Sequence, residues 1–81
     1  MADPPPNRPT LASAIRTRRR TLGLTQDGLA KLAGCGRIFV HALETGKTTV
    51  RLDKLVDVLQ VLGLQLAVET GTGGLVARAD V

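Results

Sequence analysis

LTQDGLAKLAGCGRIFVHALETGK, Leu24 to Lys47, holds two short apolar patterns on either side of a glycine-rich break. Thr25 has the side chain of a helix N-cap, and Leu29, Leu32 and Ala33 are the apolar positions of the helix it opens. The capping box is incomplete, because Gly28 stands where a glutamate would bond back to the cap. Gly34-Cys35-Gly36-Arg37 reads as a four-residue turn. After it, Val40 and Leu43 have the three-residue spacing of a buried stripe, and Gly46 closes the second helix. Apolar residues crowd that helix, yet Arg37, His41 and Glu44 stand among them.

With so few residues between them, the two helices must meet at a steep angle, which is the helix-turn-helix arrangement. Upstream, Thr10 caps a helix that carries Leu11, Ile15 and Leu22 inward; Gly23 stops it and Leu24 supplies the hydrophobic contact beyond. Downstream, after a polar connection, a helix carries Leu52, Leu55, Val56, Leu59 and Leu62, and Gly63 ends it. LQLAVET then alternates, with Leu64, Leu66 and Val68 on one face and Gln65, Ala67 and Glu69 on the other, the pattern of a strand. A strand without a neighbour leaves its backbone groups unpaired. The candidate neighbour within the chain is LVARA, 75–79, whose own alternation is weak. Pairing with the same strand of a second chain is the simpler solution. The expectation is a mainly α, four-helix domain whose C-terminal β-strand forms an intersubunit sheet in a homodimer.

Eighty-one residues make at most one small domain. The first nine, MADPPPNRP, hold all four prolines and read as a flexible arm; residues 10–69 form the folded domain and 70–81 a tail. A fold of about 60 residues is near the lower limit for independent stability, so oligomerisation helps. No apolar run approaches a membrane span, and the proline-rich start does not resemble a signal peptide. A single cysteine makes no internal disulfide, so the expected location is a reducing cytoplasm. The net charge of +4 is uneven. Residues 16–54 carry nine Lys/Arg against three acids, giving +6, whereas 55–81 carry Arg78 against Asp57, Glu69 and Asp80, giving −2. A basic half suggests a polyanion partner, and an apolar, mildly acidic half suggests a protein partner.

A helix-turn-helix sets its second helix in the DNA major groove, with residues near its start facing base edges. If Val40 and Leu43 face the core, Arg37, Ile38, His41 and Thr45 lie on the exposed side, with Ala42 at its edge. Arg37 suits a base reader, since a guanidinium bonds guanine O6 and N7 together; the competing reading is a solvated or phosphate-pairing side chain. His41 can donate to a base acceptor or a phosphate, and no metal-ligand companions accompany it. Ile38 can pack on a thymine methyl. Thr25 and Gln26 open the first helix of the pair, where free N–H groups and the helix dipole favour a phosphate. Lys47, Thr48 and Arg51 follow the second helix as backbone clamps, and Arg16 and Arg20 point to solvent or phosphate. Cys35 is read as packing.

RTRRRTLGLTQDGLAKLAG followed by GRIFVHALETGKTTVRLDKLVDVLQVLGLQL resembles the Cro/C1-type (XRE) helix-turn-helix family, over Leu11 to Glu69. GLTQ-x-x-LA with LE-x-GK carries the superfamily signal. The fourth helix ending in LG and passing into a strand is similar to the HipB-like antitoxin branch. The resemblance implies a pairing of Arg19 with Glu44, which makes Arg19 structural. It also implies repression of the chain's own operon, binding to a palindromic double-stranded DNA operator, and a HipA-like kinase toxin as partner. Gly36, Ile38 and Ala42 depart from the polar residues frequent in the family at those positions. No acid/base pair, metal cluster, activated nucleophile or phosphate-cradling glycine loop is legible, so neither an enzyme nor a cofactor is expected. Single-stranded nucleic acid wants aromatic platforms, and Phe39 is the sole aromatic residue. The alternatives are a free-standing Cro/C1-like repressor and a protein-binding module that does not bind DNA.

Overall fold

A computed structural model describes residues 10–47, 49–75 and 77. Four helices follow in order: α1 (Leu11–Thr21), α2 (Gln26–Ala33), α3 (Arg37–Glu44) and α4 (Leu52–Leu62). The expected arm 1–9, the end of the tail 78–81 and Thr48 lie outside the described residues.

Each helix begins and ends for a local reason. Thr10 accepts from Ser13 N at 3.1 Å, and Ser13 Oγ accepts from Thr10 N at 2.9 Å, so serine closes the reciprocal box at α1. Thr25 accepts from Gly28 N at 2.9 Å, without a return bond. Gly34 and Gly63 terminate α2 and α4 in the left-handed conformation, at φ 72° and 70°, where a side chain would be strained. The turn between α2 and α3 is one residue shorter than the sequence suggested. Arg37 is the first residue of α3, with Gly36 as its N-cap.

The core joins Ile15 of α1, Leu29 and Ala30 of α2, Val40 and Leu43 of α3, and Leu55, Val58, Leu59 and Leu62 of α4. α1 and α2 each pack across both α3 and α4, so the recognition pair is fixed from behind by the other two helices. Three expectations are corrected. Leu22 is 43% exposed, because it caps α1 and Leu24 carries the inward contact instead. Leu32 is 64% exposed, since Leu29 and Ala30 face the core of α2. In α4, Leu52 and Val56 are exposed and Val58 is fully buried. Apolar residues run more than halfway around α4, so hydrophobicity overshoots the stripe at 55, 58, 59 and 62 that its neighbours cover.

Residues 64–69 carry no strand pairing within this single chain, and no strand occurs among the described residues. Leu64 packs on the core, while Leu66 and Val68 are progressively exposed. A ladder needs a second backbone.

Candidate nucleic-acid interface

α3 has two unlike sides. Its inner side is Val40, Leu43 and Glu44, all buried. Glu44 is a carboxylate in the core, and the chain surrounds it with donors. Arg19 of α1 grips it twice, Nε to Oε2 at 2.6 Å and Nη2 to Oε1 at 2.9 Å. The third arm of the guanidinium, Nη1, donates to the Leu24 carbonyl at 2.8 Å, tying α1, the following turn and α3 together. Gln26 Nε2 also donates to Glu44 Oε1, at 3.3 Å. Burial alone would raise the Glu44 pKa, but the bonds from Arg19 and Gln26 and the charges of Arg19 and Arg16 outweigh it and hold the carboxyl below its ordinary range. The bond to Glu44 raises the Arg19 pKa in turn. Among the described residues no buried side-chain polar atom lacks a partner.

The outer side is Arg37, Ile38, His41 and Thr45, all exposed, with Ala42 half-buried at the edge. Arg37 and His41 stand one turn apart and, with Ile38, line a shallow recess of about 200 Å³. Thr45 turns back on its own helix, its hydroxyl donating to the carbonyls of His41 and Ala42 at 3.0 and 3.1 Å. A second open recess of about 250 Å³ lies on the other flank of Ile38. It is lined by the apolar Phe39, Ala42 and Val50 together with Lys47, Thr49, Arg51 and Lys54.

Of the sequence-derived residues, Arg37, Ile38, His41, Ala42, Lys47 and Arg51 line these two adjoining recesses, with differences in what each has free to offer. Thr25 and Gln26 stand at the start of α2, where the first N–H groups have no partner within the helix. Gln26 is half-buried, and its amide is committed to Glu44, so it ties the start of α2 to the end of α3. Lys47 is exposed. Arg51 is engaged by Asp53, Nη2 to Oδ2 at 2.6 Å and Nε to Oδ1 at 3.1 Å, and this bond lowers the Asp53 pKa. A phosphate must compete with that carboxylate for Arg51.

Three members of the surface were not read from the sequence: Phe39, Thr49 and Lys54. Lys54 sits in the first turn of α4, with its Nζ 6.0 Å from the centroid of the Phe39 ring. Its place three residues after Arg51 is a usable signal once a helix start is assigned there. Arg18 was also unread. Its Nε donates to the Leu62 carbonyl at 2.8 Å, so α1 caps the C-terminus of α4. Cys35 is half-buried between α2 and α3, and burial pushes its thiol pKa up, which fits a packing residue.

The helix-turn-helix domain family matches residues 10–71. The chain is 39% identical over 56 residues to an HTH-type transcriptional regulator of Sinorhizobium fredii, y4mF, itself uncharacterized; the match spans 69% of this chain and 74% of that one. Two solved structures share its fold at a TM-score of 0.68. One is the HipA-HipB-O2-O3 complex, at 27% identity over 76% of this chain and 87% of the matched chain. The other is a complex of a HipB variant with an O2 20mer, at 26% identity over 88% of this chain and 100% of that one. The helices, the family match and both likenesses agree: the chain belongs to the helix-turn-helix domain family of transcriptional regulators and is a HipB-like member of its Cro/C1 (XRE) type.

Proposed function

We propose that this protein is a sequence-specific repressor that binds double-stranded DNA as a homodimer. We propose further that it is the antitoxin of a HipBA-like pair, repressing its own operon and binding a HipA-like kinase toxin. The observation that carries the DNA reading is the division of α3. One side is locked by the core and by the Arg19–Glu44 pair. The other presents Arg37, Ile38 and His41 to solvent beside a rim of Lys47, Arg51 and Lys54.

In this reading Arg37 forms a bidentate contact with a guanine, and His41 donates to a base acceptor or a phosphate. Lys47, Thr48 and Arg51 hold the backbone on one flank, and the start of α2, with Thr25 and Gln26, holds a phosphate on the other. Leu64, Leu66 and Val68 pair with their copies across a twofold axis. That pairing satisfies their backbone groups and covers Leu66 and Val68, 43% and 104% exposed in the single chain. Twofold symmetry calls for a palindromic operator, with half-sites about 34–36 Å apart. The toxin is supported by the likeness to HipB in a complex that contains HipA.

A free-standing repressor is the second reading, in keeping with the likeness to y4mF, an HTH-type transcriptional regulator. A mobility-shift titration on the gene's own promoter, from about 50 to 200 mM salt, tests the DNA reading through the slope of log K against log salt. Co-purification of a kinase encoded alongside separates antitoxin from solitary repressor. A promoter bound no better than random duplex would refute the repressor.

A further inference from the structure

Ile38 is 86% exposed, in the first turn of α3, and it forms the ridge between the two recesses of the interface. On one flank are Arg37 and His41, which can hydrogen-bond. On the other are the apolar side chains of Ala42, Phe39 and Val50, beside Thr49 and the cations Lys47, Arg51 and Lys54. Single exposed aliphatic residues are ordinary on a surface. Here the apolar patch is seated between Arg37 and a row of cations, a setting that suits an apolar group carried by a polyanion.

The major groove offers one such group. Among the base edges exposed there, the thymine C5-methyl is the apolar feature. We infer that each operator half-site carries a thymine, adjacent to the guanine bonded by Arg37, whose methyl seats against Ile38 and Ala42 in this recess. Its strand's phosphates lie along Lys47, Arg51 and Lys54. Ile38 and Ala42 are then specificity-determining residues that read methylation at C5 of a pyrimidine, and a 5-methylcytosine satisfies the same contact. The inference rests on the DNA reading above and deepens it.

The test begins with a duplex selected by the wild-type protein from a random pool. Its thymines are replaced one position at a time, in both half-sites, by deoxyuridine, which removes the methyl and keeps every hydrogen-bonding group. At one position the loss is about fourfold per half-site, the value of one buried carbon, and about fifteenfold across the palindrome. With cytosine at that position, C5-methylation strengthens binding by a similar factor. Ile38→Ala keeps the circular dichroism spectrum of the folded domain, and it loses most of the discrimination between thymine and deoxyuridine. Tight operator binding that is indifferent to deoxyuridine at every position overturns the inference and leaves the DNA reading standing. So does an Ile38→Ala variant with undiminished sensitivity to deoxyuridine. Failure to bind any duplex overturns both.

Discussion

Arg19→Ala leaves the Glu44 carboxylate, whose side chain is 3% exposed, with the Gln26 amide as its remaining side-chain donor. Removing one partner of a buried ion pair costs about 3–5 kcal/mol, because the other charge stays desolvated. A domain of this size has roughly 3–10 kcal/mol in total, so the variant sits at the edge of unfolding. Glu44→Ala strands a guanidinium that is 11% exposed and still bonded to the Leu24 carbonyl, so its cost lies at the lower end of that range. The double variant removes both charges, and its deficit falls short of the two singles combined by about 2–3 kcal/mol. Of the roughly 3–6 kcal/mol that remains, about 2 reflects the bonds lost by the Leu24 carbonyl and Gln26. The pH dependence carries a sign as well. In the wild type the Glu44 pKa is lowered on folding, so its contribution is present above the unfolded value of about 4.3 and is lost as pH falls through the folded one. In Arg19→Ala burial dominates and raises that pKa, so the carboxyl takes up a proton and the deficit shrinks from pH 7 towards pH 4. With no Trp or Tyr in the chain, urea melts followed by far-UV circular dichroism are the suitable assay. Additive deficits, or a deficit in Arg19→Ala that is constant between pH 7 and pH 4, would refute the reasoning.

Arg37→Ala is expected to weaken operator binding by about 1–3 kcal/mol, concentrated at one base pair per half-site, and equal losses on operator and random duplex would end its role as a reader. Lys47→Ala is expected to weaken all sequences alike and to flatten the salt slope by about one unit, measured in the same titrations. Asp53→Asn releases Arg51 from its carboxylate partner, so it should tighten binding to any duplex and steepen the slope; an unchanged slope would show that Arg51 lies off the DNA. Leu66→Pro removes a backbone donor from the proposed intersubunit ladder. In sedimentation it should shift the protein towards monomer and lose operator affinity, whereas a wild type that is monomeric at tens of micromolar and binds operator tightly would remove the dimer from the account.

Helix starts, stops and their order were legible in the sequence because they depend on neighbours within four residues. Thr10, Thr25, Gly34 and Gly63 act through hydrogen bonds and backbone dihedrals that no distant residue alters. The short α2–α3 connection was legible in the sequence, and with it the outward side of α3 at Arg37, Ile38 and His41. Which apolar residues are covered was decided by packing. Leu32, Leu52 and Val56 are as hydrophobic as their buried neighbours, but the helices packed against α2 and α4 cover a narrower stripe than the sequence offers. The tertiary structure also decided what each polar group is free to do. Gln26 is bonded to Glu44 across eighteen positions of sequence, and Arg18 to the Leu62 carbonyl across forty-four. Neither separation has a periodicity to betray it. Pattern reading finds an interaction where a repeat of two or 3.6 residues marks it. Contacts between helices leave no such mark, and they appear once the core has fixed how the helices cross.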